Sequence, residues 1–257
     1  MLLPVRLGSA YLFEVMTSAR DRRRGNGSAI GIDVRGVSKS LRGRQILQDV
    51  NFAVPRGTIA VIEGDNGAGK TTLVRVLATV VSPDSGTALV NGFDVSRQGL
   101  DVRRSIGVSF ANERSLYWRI NAFQNLELFG KIAGLRKSVI AERSASLIDE
   151  LHLGRVATGQ VARMSTGQRQ RLRVARALLS DPKVILLDEP FRGLDEEGLQ
   201  TLIELVTTRA RDGKTVLIVA PLIAAVTSVA DRTYRIEAGS VLPMPAGPAV
   251  RPVPELP

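Results

Sequence analysis

Three short stretches of this chain carry side chains able to handle phosphate. Gly64-Asp65-Asn66-Gly67-Ala68-Gly69-Lys70-Thr71-Thr72 fits G-x-x-x-x-G-K-[ST]. Its glycines let the backbone curl so that successive N–H groups converge on an anion. Lys70 supplies a cation for the terminal phosphates, and the Thr71 hydroxyl is a ligand for Mg²⁺. Met164-Ser165-Thr166-Gly167-Gln168 is a second anion loop, running into the Arg-rich amphipathic stretch RQRLRVARALL. Ser165 offers a hydroxyl, Gly167 a bare backbone, and the helix start its N–H groups and dipole. In Lys183-Val184-Ile185-Leu186-Leu187-Asp188-Glu189-Pro190, four apolar residues precede an Asp-Glu pair. Asp188 is placed for Mg²⁺ ligation and Glu189 for polarising a water. Alone, such a pair would read as a solvated turn; after two anion loops in this order it reads as chemistry.

The elements around these stretches must present them on one edge. Thr58–Glu63 is a strand-like run and Leu73–Ala78 a helix, the context that a phosphate loop requires and an incidental Gly-rich turn lacks. The apolar run before Asp188 suits a strand buried on both faces of a parallel sheet, whose C-terminal end is where ligands sit. Ile30–Val54 reads as strands with a turn near Leu41–Arg44, and Val80–Asp94 continues through the turn Ser82–Gly86. Asn125–Ile132 and Ser138–Leu151 have helical apolar spacing. The predicted class is therefore α/β.

Together these motifs resemble the nucleotide-binding subunit of an ABC transporter, export-type and ABC-2-like, over about Ile30 to Val241. The resemblance implies a P-loop NTPase (RecA-like) core with an antiparallel β-subdomain and an α-helical signature subdomain at about 116–165. It implies ATP and Mg²⁺ as ligands, and head-to-tail pairing with a second ATP-binding subunit, as a homodimer or a heterodimer. In such a pair Gly64–Thr72 and Asp188 hold ATP and metal, Glu189 is the general base, and Ser165, Thr166, Gly167 and Gln168 reach the partner's ATP. Gly193-Leu194-Asp195 resembles the D-loop along the dimer interface. A separately encoded transmembrane permease, docked at the cytoplasmic face of the cell membrane, is the further partner implied; no nucleic acid is expected. A soluble ATPase of this type, not tied to transport, is the alternative. The single cassette and the lack of a coiled-coil insertion favour transport.

Three positions depart from that pattern. Leu41 stands where an aromatic usually stacks on adenine, which would forgo ~1 kcal/mol of stacking. Asn112 or Glu113 stands in place of the Q-loop glutamine; Asn112 is the candidate metal ligand there, on a shorter arm. Tyr117 and Trp118, just beyond, are candidates either for anchoring the permease or for packing within the helical subdomain. Ala220-Pro221 replaces the Thr-His that normally ends its strand. Proline has neither a polar side chain nor an N–H, so it cannot hold the γ-phosphate or the water. Losing one such contact commonly costs ~2.7–4 kcal/mol, or ~10²–10³ in rate. The subunit's own site is expected to hydrolyse slowly while its Ser165 loop serves a partner.

Composition sets limits on this reading. A chain of 257 residues that is 44% hydrophobic suits one α/β domain with appendages. There is no cysteine, and the single His152 is read as a surface or packing residue within Ser146–Leu153, so disulfides and multi-His metal sites are excluded. The longest apolar run, Val216–Val226, is interrupted by Pro221 and falls short of the ~18 residues a membrane span needs. The net charge of +10 suits either an anionic membrane surface or nucleic acid and does not choose between them. Residues 1–29, with the cluster Arg20-Asp21-Arg22-Arg23-Arg24, read as a flexible basic extension, and 243–257 as a Pro-rich tail.

Overall fold

A computed structural model describes residues 29–111, 116–221 and 224–244. The basic extension (apart from Ala29), Asn112, Glu113 and nearly all of the Pro-rich tail lie outside the described residues. Two sheets form the frame. In the larger, the strand order is β10 (Ser240–Pro243), β9 (Arg232–Glu237), β3 (Ile59–Glu63), β8 (Thr215–Ala220), β7 (Val184–Asp188), β6 (Ile106–Ser109). All neighbours are parallel except the closing β9–β10 hairpin. The smaller sheet is antiparallel, with order β2 (Arg44–Pro55), β1 (Ile30–Leu41), β4 (Ser85–Val90), β5 (Phe93–Asp94).

The central strands are apolar on both faces because both faces are covered. Every residue of β3, β7 and β8 is buried. Alternation then splits the core in two. Ile59, Val61, Ile185, Leu187, Val216 and Ile218 join the cluster of the large helices, whereas Ala60, Ile62, Leu186, Leu217 and Val219 join that of the antiparallel sheet. At about 1.5–3 kcal/mol for each large aliphatic side chain buried, this two-sided sheet is a principal source of stability.

The helices are α1 (Lys70–Leu77), α2 (Gly99–Ser105), α3 (Ala122–Ile132), α4 (Lys137–Glu150), α5 (Thr166–Leu178), α6 (Glu196–Arg211) and α7 (Ala224–Thr227), with a 3₁₀ turn at Val161–Arg163. Helix α3 starts earlier than its apolar spacing predicts. Asn121 and Gln124 form a reciprocal capping box there, and that is a polar signal. His152 falls beyond the end of α4, not within a helix, at φ 51°, with its side chain 57% exposed. Pro243, read as the first residue of the tail, belongs to β10. Strand β10 is an edge, where a missing N–H leaves no neighbouring strand unsatisfied.

Because β3, β8, β7 and β6 are parallel, their C-terminal ends share one edge of the sheet. Gly64, Pro221, Glu189 and Phe110 follow directly from those ends. The fold thereby gathers segments more than 150 residues apart in sequence.

Candidate ATP site and signature loop

The phosphate loop bends between β3 and α1. Gly69 adopts φ 109°, and a Cβ there would lie 2.9 Å from the Ile46 carbonyl oxygen, so only glycine fits. This close approach seats the β1–β2 hairpin, with half-buried Leu41 at its turn, against the loop. Lys70 is buried, and its ammonium donates to the Gly64 and Asp65 carbonyls at 2.6 and 2.9 Å. Those bonds fix the cation inside the curl of the loop.

Thr71 and Asp188 meet across the sheet edge: the hydroxyl donates to Asp188 Oδ2 at 2.8 Å. Asp188 is fully buried, and its Oδ1 has no hydrogen-bond partner. Burial holds its carboxyl above the usual carboxylate range, reinforced by the charge of Glu189. The Thr71 hydroxyl, the Ala111 amide and the Lys70 charge act the other way. A buried carboxylate with one free oxygen beside a hydroxyl suits a hard divalent cation whose remaining ligands are phosphate and water. The pair Thr71 and Asp188 therefore fits Mg²⁺. Among the described residues there is no cluster of three or more His, Cys, Asp or Glu to hold a metal on protein ligands alone.

Glu189 follows at φ 48°, a region that residues other than glycine rarely enter and that concentrates at functional sites. Its N–H donates to the Val219 carbonyl at 2.8 Å, pinning the turn to β8. Asp188 pairs with Val219 in register, so Pro221 is only two residues beyond the strand position that anchors Glu189. Pro221 is exposed at that end of β8.

The stretch Met164–Gln168, the second candidate anion loop, sits at the start of α5. Ser165 caps the helix: its hydroxyl accepts from the Gln168 N–H at 3.1 Å, and the Gln168 side chain accepts from the Ser165 N–H at 2.9 Å. The box leaves the Ser165 hydroxyl proton able to donate outward, while the Gln168 side-chain carbonyl oxygen is engaged with its own loop. Ser165 and Thr166 are exposed. Gly167 packs so closely on the Gly193 carbonyl that an added Cβ would lie 2.9 Å from it. The next turn is set by Asp195, which caps α6 by accepting from the Gly198 N–H at 2.9 Å.

Tyr117 and Trp118 are each 55% exposed. Their segment is nonetheless firmly tied. The buried Asn125 side chain accepts from the Tyr117 N–H at 2.8 Å and donates to its carbonyl at 3.0 Å. Sequence reasoning missed Asn125 and also Arg169, whose guanidinium bonds the Met164 carbonyl. Both are polar residues on helix faces, and only the fold reveals what they hold.

A phosphate loop after a central parallel strand, with an acidic pair at the end of another, defines a P-loop nucleotide-binding domain. The profile of the family described as "ABC transporter" matches residues 47–192. The ABC transporter ATP-binding protein NatA of Bacillus subtilis is 35% identical over 210 residues, covering 82% of this chain and 83% of that one. The doxorubicin resistance ATP-binding protein DrrA of Mycobacterium tuberculosis is 35% identical over 215 residues, covering 83% of this chain and 65% of that one. The lantibiotic transport ATP-binding protein SrtF of Streptococcus pyogenes is 33% identical over 211 residues, covering 82% and 89%. Among solved structures, an ATP-binding subunit of an ABC transporter superposes with TM-score 0.74 at 26% identity, covering 82% of this chain and 87% of that one. The dimeric cassette MJ0796 superposes with TM-score 0.74 at 25% identity, covering 82% and 96%. The chain belongs to the ABC transporter family, as its ATP-binding, ATP-hydrolysing subunit.

Proposed function

We propose that this subunit powers an exporter by binding and hydrolysing Mg²⁺–ATP, paired head to tail with a second copy and docked on a separately encoded membrane permease at the cytoplasmic face. The observation that carries this reading is the Thr71–Asp188 pair, with the free Oδ1 of a buried carboxylate beside the phosphate loop. Gly64–Thr72 would cradle the phosphates, Lys70 would neutralise the terminal ones, and Leu41 would pack on the base. Thr71 and Asp188 would hold Mg²⁺, which supplies charge neutralisation between the phosphates. Glu189, held to β8 through its N–H, would orient and deprotonate the attacking water. Ser165, Thr166 and Gly167, exposed or half-buried at the start of α5, would complete the ATP site of the other copy. Export is supported by the relatives named for doxorubicin resistance and lantibiotic transport. Among the described residues no helix is long and apolar enough to cross a membrane, which is consistent with a permease on another chain.

A second reading is favoured by Pro221. With no polar group at that position, the chain's own site turns over slowly, and its Ser165 loop serves a non-identical cassette with a faster site. The test is ATP turnover by the purified chain with and without Glu189→Gln. Slow but measurable turnover, removed by the substitution, supports the proposal. Rapid turnover would rule out the slow-site reading, and turnover indifferent to Glu189→Gln would rule out its role as base.

A further inference from the structure

Trp118 is the chain's single tryptophan, and its ring lies 5.4 Å from Cζ of Arg169, within cation–π range. Arg169 is the fourth residue of α5. Its Nη1 donates to the Met164 carbonyl, and its Nη2 lies 3.5 Å from the Thr166 hydroxyl. One guanidinium thus holds both flanks of Ser165. The backbone repeats this connection. The Ala162 N–H donates to the Trp118 carbonyl at 3.0 Å, that of Val161 to Ile120 at 3.1 Å, and that of Ala122 to Ala157 at 3.0 Å. The segment bearing Trp118 is therefore zipped to the one that leads into Ser165, while the indole itself stays 55% exposed.

We propose that Arg169 is a positioning residue for the signature loop and that Trp118, stacked on it, is the lever by which contact at the surface of the helical subdomain resets Ser165. A planar guanidinium can stack on the ring and still direct its edge donors to Met164 and Thr166, which an ammonium cannot do. Moving the indole shifts the stack. The shift then alters the carbonyl and hydroxyl contacts on either side of the residue that faces the second copy's ATP. The inference rests on the reading that the Ser165 loop completes a second copy's site.

Two measurements in a Glu189→Gln background test it: ATP-driven self-association by sedimentation, and Trp118 emission during titration with Mg²⁺–ATP. Arg169→Ala and Trp118→Ala are expected to raise the ATP concentration for half-maximal association at least 3-fold with little change in melting temperature. Trp118→Phe, which keeps a π-face, should restore it to within 2-fold; Arg169→Lys should not. The emission shift on adding ATP should vanish in Arg169→Ala. Unchanged association in both alanine variants overturns the proposal, as does a loss that tracks lowered melting temperature and is not rescued by Trp118→Phe. Ser165→Arg separates the two levels. If it blocks association while Arg169→Ala does not, the lever alone fails. If the parent does not associate with ATP, or Ser165→Arg leaves association intact, the composite-site reading fails.

Discussion

The Thr71 hydroxyl donates to Asp188 Oδ2 at 2.8 Å, joining the start of α1 to the end of β7 across 117 residues of sequence. The other oxygen of the same buried carboxylate has no partner. Asp188 thus leaves one buried oxygen unsatisfied in the ligand-free fold, which is what the proposed cation would relieve. Asp188→Asn should weaken Mg²⁺-dependent ATP binding at least ~10-fold without lowering the melting temperature of the ligand-free protein, because it removes a buried charge. Thr71→Ala should do the opposite to the free protein, costing about 1–3 kcal/mol by leaving Oδ2 unsatisfied. Thermal melts with and without Mg²⁺–ATP check both, since stabilisation by ligand scales with occupancy.

Pro221 follows Ala220 at the exposed end of β8, and β8 accepts the Glu189 N–H through Val219. A polar side chain at 221 would stand beside the proposed base. Pro221→His should raise ATP turnover by up to ~10², the reciprocal of losing one preorganised contact. Adding Glu189→Gln should abolish that gain. Turnover no faster than the parent's would mean that position 221 does not reach the reacting atoms.

Much of this site was legible because backbone-defined motifs carry their context with them. Gly64–Thr71 implied strand, loop and helix, and Val184–Asp188 implied a strand buried on two sides; β3, α1 and β7 follow those expectations. The relations that sequence could not supply are those between side chains on different elements. Nothing in the spacing says that Arg169 reaches back to Met164 while stacking under Trp118, or that Asn125 ties down Tyr117. Capping boxes were equally silent in apolar periodicity, so α3 begins at Ala122 and not at Asn125. His152 was misplaced for a related reason: helical spacing runs on into a residue whose left-handed backbone has already ended the helix.

Glu63 closes β3 just before the phosphate loop, buried, with Oε1 unpartnered. Burial raises its carboxyl above the usual carboxylate range, and the charge of Arg235 only partly offsets this. A raised folded value means that the native state binds the proton more tightly than the unfolded chain does. Stability is then fully present below the ordinary carboxylate range and is lost as pH rises through the folded value. Glu63→Gln should thus be more stable than the parent at neutral pH, with the difference closing as pH falls towards 4.5, the ordinary value. Urea unfolding of both proteins across that interval measures it; a difference independent of pH would show that the Glu63 carboxyl titrates in the fold as it does in the unfolded chain.

Gly167 and Gly193 bring the proposed signature loop and the D-loop-like turn into close backbone approach within one chain. A Cβ on Gly167 would lie 2.9 Å from the Gly193 carbonyl oxygen, and one on Gly193, at φ 75°, would lie 3.0 Å from Thr166 Cγ2. The obstruction at Gly167 is backbone, so no rotamer change relieves it. Gly167→Ala must push apart the starts of α5 and α6, which carry Ser165 and Asp195 as their caps. Added atoms in such a contact typically cost about 1–3 kcal/mol. The same displacement should lower ATP turnover by at least ~10-fold, because both loops lie on the surface proposed to meet the second copy. Gly198→Ala is the informative comparison. Its Cβ would also crowd its neighbours, but at the tip of the Asp195 side chain (2.8 Å) and not at backbone, so Asp195 can adjust. Stability and turnover should fall together in Gly167→Ala and much less in Gly198→Ala. Equal losses in the two would show that crowding the α6 cap, and not the approach of the two loops, limits activity.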